Sequence, residues 1–153
     1  MEYGREAAIG AVCGLRAFMG PALTAGAANG RKLNLRKTPL AWMATDNTAM
    51  WMVVLAAGEL LADKLPFAPS RMKTPSLAMR FLSGATCALA ISNGRKRHEK
   101  IMGAIVGGTA AVAAAFTGYQ FRRHTKMPAL ARALIEDSVA VGVGNAVITH
   151  VCS

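Results

Sequence analysis

Apolar residues run along this chain in long blocks, without the alternation of half-buried strands or the narrow stripe of a surface helix. A helix needs about 20 mostly apolar residues to span the hydrocarbon core of a bilayer, with a working range of roughly 17 to 25. Five windows qualify: residues 7–28, 47–65, 76–92, 101–119 and 129–151. The first is interrupted by Arg16 and by Gly20-Pro21, the third carries Arg80, and the fifth holds Glu136 and Asp137 in its first half. The fourth has no ionisable residue before its closing Tyr119. Asp46, Asn47 and Thr48 offer caps for the second, and Pro66 lies just past its end. The pattern predicts an all-α, polytopic helical membrane protein that forms a single transmembrane domain of about five spans, with four or six as the alternatives.

Composition agrees with that reading. Of 153 residues, 53% are hydrophobic and 17% charged, against about 25% charged in an average soluble domain. So apolar a chain is not disordered. The formal net charge is +10, and the basic residues gather in four connecting segments, 29–45, 66–75, 93–100 and 120–128. Each Lys or Arg beside an anionic membrane surface contributes about 1 kcal/mol of attraction, so membrane lipids are the expected partners, with the basic loops at the headgroups. A nucleic-acid partner would want one continuous basic face with interleaved aromatics, and four separate loops do not supply it.

Counting Lys and Arg tests orientation. Five crossings put Arg5, Lys64, Arg71, Lys73, Arg122, Arg123, Lys126 and Arg132 on the N-terminal side. Arg31, Lys32, Arg36, Lys37, Arg95, Lys96, Arg97 and Lys100 fall on the other. The count ties at eight each. Either the chain inserts both ways and pairs as antiparallel dimers, or the span count is in error and hides a real bias, which is the preferred explanation. The first window is no signal peptide, because its start is slightly acidic through Glu2 and Glu6, and it carries Arg16.

The sequence also echoes itself. Arg16, Gly20 and Asn29-Gly30-Arg31-Lys32 recur 64 residues later as Arg80, Gly84 and Asn93-Gly94-Arg95-Lys96. Five crossings would make this weak repeat parallel.

The ionisable residues at membrane depth carry the chemistry. A charge at the bilayer centre costs about 2.5–3.5 kcal/mol even on the most forgiving scale, so Arg16, Glu59, Asp63, Arg80, Glu136 and Asp137 form the candidate site for a substrate or ion. Glu59 and Asp63 share one helix face, whereas the adjacent Glu136 and Asp137 point about 100° apart. The simplest arrangement turns Arg16 and Arg80 inward to meet Glu59 and one acid of the fifth span. Lys64 and Pro66 place Asp63 near the interface. Gly14, Gly20 and Pro21 surround Arg16, and a helix broken there would expose backbone groups; a simple kink is the alternative. Gly103, Gly107, Ala111 and Ala115 recur every fourth residue, a smooth stripe that predicts tight helix packing within the chain or between chains. A homo-oligomer is expected.

Other constellations are missing from the sequence. Cys13, Cys87 and Cys152 define no disulfide framework. His98, His124 and His150 lack the ligand spacing of a zinc site. The Gly107-Gly108 and Gly142–Gly144 segments contain no phosphate-loop lysine, and there is no Gly-x-Ser-x-Gly elbow. Neither an enzyme, a metal site nor a cofactor is expected.

At Gly14-Leu15-Arg16-Ala17-Phe18 with Pro21, Gly58-Glu59-Leu60-Leu61-Ala62-Asp63-Lys64-Leu65-Pro66, Pro69-Ser70-Arg71 and Glu136-Asp137, the chain resembles a known family. It is similar to the small bacterial membrane proteins catalogued as domain of unknown function 4126. The resemblance covers nearly the whole chain and implies a multi-pass protein of the bacterial inner membrane, without implying an activity. The expected function is a small transporter or channel component with a buried carboxylate and arginine site for a small ion or solute. The alternative is a structural or lipid-interacting membrane protein whose charges only lock its packing.

Overall fold

The computed structural model describes residues 3–62 and 74–152. Asp63 and the end of the second window lie outside them. Every described regular element is helical: α1 (Gly4–Leu15), α2 (Met19–Asn29), a short 3-10 turn (Ala41–Ala44), α3 (Asp46–Ala62), α4 (Thr74–Ile91), α5 (Arg97–His124) and α6 (Ala129–Cys152).

The first apolar window departs from the expected single span. It forms two helices of 12 and 11 residues, each too short to cross a bilayer. Arg16 leaves helical geometry at φ −138° and ψ 110°, and the chain restarts at Met19. Pro21 then sits in the first turn of α2, where its missing N–H removes no intrahelical bond. The two helices fold back on each other. Along α1, Glu6 meets Ser92 while Gly14 meets Arg80; α4 therefore runs antiparallel to α1. Along α2, Gly20 abuts Cys87, and Ala25, Ala27 and Ala28 pack with Ala90 and Ile148, so α2 runs parallel to α4 and returns to the end where α1 began. The window is a helical hairpin with its tip at residues 16–18.

The other windows are helical. α5 reaches beyond the expected 101–119 at both ends, because its flanking residues Arg97 to Lys100 and Gln120 to His124 continue the helix. Arg122, Arg123 and His124 complement the negative end of its dipole. It is the described helix that is long and apolar enough to cross a membrane by length and composition. At the start of α3 the side-chain acceptor is Thr45, not one of the expected cap residues; the Thr48 N–H donates to its Oγ1 at 3.4 Å.

α1, α4 and α5 form the tightest contact. A Cβ built on Gly10 would strike the Gly107 carbonyl, and one on Gly84 would fall 2.6 Å from the same oxygen, so three backbones meet where no side chain fits. The stripe Gly103, Gly107, Ala111 and Ala115 is buried and faces this junction within the chain. α3 lies at the edge, burying Ala49 and Ala56 while Met50, Trp51, Val53, Val54 and Leu55 stay exposed. Beside an apolar core, four charged side chains, Arg16, Arg80, Glu136 and Glu6, are inside, each 5% exposed or less, while Trp51, Leu61, Leu82 and Leu130 are each more than half exposed.

Candidate functional site

Breaking a helix frees backbone donors and acceptors that must be satisfied when buried. At the hairpin tip they are satisfied from distant elements. The Ala17 and Phe18 N–H groups donate to the two carboxylate oxygens of Glu59 on α3, each at 3.0 Å. The Gly14 carbonyl accepts from the Arg80 guanidinium of α4. The Ala17 carbonyl accepts from Ser83 Oγ at 2.5 Å, one turn further along α4. The tip is thus clamped by a carboxylate, a guanidinium and a hydroxyl.

Three ion pairs surround it. Arg16 turns its guanidinium to Asp137 on α6, with Nε donating to Oδ1 at 2.7 Å and Nη2 to the same oxygen. Arg80 lies 3.7 Å from Glu59. Arg122, near the end of α5, grips Glu136 through Nε to Oε1 at 2.6 Å and Nη2 to Oε2. The Arg80 charge also feels Arg122, Arg16 and Glu136, so the three pairs form one electrostatic cluster. Arg16 is 1% exposed and Glu136 5%, while Glu59 and Asp137 are partly open. Beside Glu136, a cavity of about 400 Å³ opens outward between α5 and α6, lined by Leu15, Thr117, Gly118, Phe121 and Val139.

Five of the six residues singled out from sequence, Arg16, Glu59, Arg80, Glu136 and Asp137, are therefore brought to one end of the bundle; Asp63 lies outside the described residues. Glu136 and Asp137 meet different neighbours, in keeping with their 100° offset. The sequence pattern does not mark Arg122 or Ser83. Arg122 falls just past the fourth apolar window, where a charge reads as solvated, and Ser83 carries no charge, although it lies three residues after Arg80 on the same face.

A second buried acid also escapes that pattern. Glu6 is 2% exposed at the opposite end of α1. Its Oε1 accepts from Ser92 at 2.7 Å and lies 3.5 Å from Arg95 Nη1, while Oε2 has no hydrogen-bond partner. Arg95 stacks over Tyr3, 5.4 Å from the ring centre. Among the described residues no group of three or more His, Cys, Asp or Glu is placed to hold a metal ion. Cys13 and Cys87 are free and fully buried.

An all-helical bundle with an interrupted hairpin, whose backbone is held by buried ion pairs, defines the class to which this chain is assigned. Residues 6–151 match the family described as Domain of unknown function (DUF4126), and the chain belongs to it. No curated protein and no solved structure matches the chain.

Proposed function

We propose that this is a polytopic membrane protein with four crossings, α3 to α6, and a re-entrant hairpin, α1–α2, that acts as a small transporter or channel component for a small ion or solute. The exposed Trp, Leu, Val and Met side chains supply a lipid-facing surface, and a backbone broken at membrane depth is tolerated where it is buried in protein or lines a cavity. Folding the hairpin back also breaks the tie in basic residues. Arg5 moves to the side that holds Arg31, Lys32, Arg36, Lys37 and the cluster from Arg95 to Lys100, so the sequence counts nine against seven. The positive-inside rule then favours both termini in the cytoplasm.

The observation that carries the transport reading is the double hydrogen bond from Ala17 and Phe18 to Glu59. A carboxylate there occupies the place that a small anion would take at the start of α2, beside the Arg80 guanidinium. When Glu59 is neutralised by a proton or swings away, two amides and a guanidinium become available to an anion. The second reading, charges that only lock the packing, draws support from the balance of three guanidiniums against three carboxylates.

Proteoliposomes on a solid-supported membrane separate them. Currents on jumps of chloride, phosphate or small carboxylates with wild-type protein, whose dependence on pH is lost in Glu59→Gln of unchanged thermal stability, support transport. Silence of wild-type protein towards all of these anions and towards proton and alkali-cation jumps overturns it. Reporter fusions at both termini are expected to give the same side; opposite sides would refute four crossings.

A further inference from the structure

The loop that follows α2 holds a second candidate site, independent of the hairpin tip. Residues 29–45 contain four cations, Arg31, Lys32, Arg36 and Lys37, and no acid. The loop is anchored from below, since Leu33 and Leu35 are buried with Met43 against Ala25, Ala28, Ala90 and Ile148. Its carbonyl at Asn34 accepts from Asn93 Nδ2 at the end of α4. Alternation around the two buried leucines leaves Asn34 and Arg36 outward, Arg31 is exposed just past the end of α2, and these three line a cavity of about 310 Å³ with Ala28 and Leu33.

The backbone at Arg31 marks this pocket. Arg31 has φ 59°, in the left-handed region, whereas Gly30 before it sits at −68°. Where a helix ends with a residue in that conformation, the residue is usually glycine, because a Cβ is strained there. Here the glycine is one residue early and an arginine takes the strained place. The echoed tetrapeptide makes the contrast: its Arg95 is turned inward to Glu6 and Tyr3, while Arg31 and Arg36 line the open cavity.

We propose that Arg31, Asn34 and Arg36 form a pocket for a phosphate group, supplied by an anionic lipid headgroup or by a free phosphate. Two guanidiniums on one cavity match the oxygens of a phosphate by paired N–H donors, and the amide of Asn34 adds a neutral donor. Lys32 and Lys37 do not line the cavity, so they contribute only diffuse attraction to an anionic surface.

The test uses the full chain in detergent and native mass spectrometry, with phosphatidylglycerol, phosphatidylcholine or inorganic phosphate as the added probe. Wild-type protein is expected to retain one phosphatidylglycerol in preference to phosphatidylcholine. Arg31→Gly and Arg36→Gln are each expected to weaken retention about tenfold, the effect of losing a charge-assisted hydrogen bond, while Lys32→Gln and Lys37→Gln stay within about twofold. Glycine suits the backbone at position 31, so Arg31→Gly removes the guanidinium without harming the fold, which its thermal unfolding will verify. Inorganic phosphate that binds lipid-free protein and is lost in the same arginine variants identifies a free phosphate as the source; retention of the lipid alone identifies the headgroup. Equal losses in lysine and arginine variants, or undiminished binding of both probes by Arg31→Gly and Arg36→Gln, overturn the proposal.

Discussion

The Arg16–Asp137 pair is the sharpest place to test whether the charges hold the hairpin in position. Arg16 is 1% exposed and the Asp137 side chain 18%, so the guanidinium depends on protein partners and the carboxylate is reached in part by solvent. Breaking a buried pair by removing one partner costs about 3–5 kcal/mol, because the remaining charge is left under-compensated. The partial exposure of Asp137 and the further contacts of Arg16 place this pair at the lower end, about 3 kcal/mol for Asp137→Asn and about the same for Arg16→Met. Removing both charges, in Arg16→Met with Asp137→Asn, leaves neither member of this pair facing a lost partner and is expected to cost at least about 2 kcal/mol less than the sum of the single changes. Unfolding in detergent, followed by far-UV circular dichroism with a denaturant titration, measures all four corners of the cycle. Single costs that add to within about 0.5 kcal/mol would refute the claim that these side chains act on each other.

The other expectations are quicker to check. Gly10→Ala and Gly84→Ala place a methyl against the Gly107 backbone, which cannot rotate away, and should destabilise by about 1–3 kcal/mol. Gly26→Ala and Gly142→Ala meet nothing within 4 Å and should instead stabilise by up to about 1 kcal/mol in the same unfolding assay. Arg31→Gly should raise stability by about 1 kcal/mol by relieving the left-handed backbone. Cys13 and Cys87, both fully buried, should resist a soluble maleimide in the folded protein and react once it is unfolded in SDS, as read by mass.

Much of the charged cluster is legible in the sequence because its energetics are local. Arg16, Arg80 and Glu136 stand inside apolar windows, and a charge there demands a partner wherever the helices go. The direction of the hairpin is not legible. A window of 22 residues has the length of one crossing and also of two short helices with a turn, and hydropathy does not distinguish them. What decides is whether the freed backbone groups at the tip find partners, and those partners are Glu59, 41 and 42 residues away, and Arg80, 66 residues away. Glu6 and Arg122 escape notice for a related reason: each stands at the edge of a window, where solvation is the default reading of a charge, and only the packing of Ser92 over one and Glu136 against the other brings them in.

The echo in the sequence acquires a physical meaning from these pairs. The two copies fall on the second arm of the hairpin and on α4, run in the same direction and bring Arg16 and Arg80 to the same end of the bundle. The arginine of the first copy is paired with Asp137, from the second half of the chain, and the arginine of the second copy with Glu59, from the first. The exchange is reciprocal, so each buried guanidinium draws its carboxylate from the other half. Glu59 belongs to both arrangements at once, holding the hairpin tip through Ala17 and Phe18 and meeting Arg80 across the halves. Whatever displaces its carboxylate from the amides therefore loosens the tip and alters the contact between the halves in one step. Under the transport reading proposed above, that linkage would turn binding at the tip into movement between the halves.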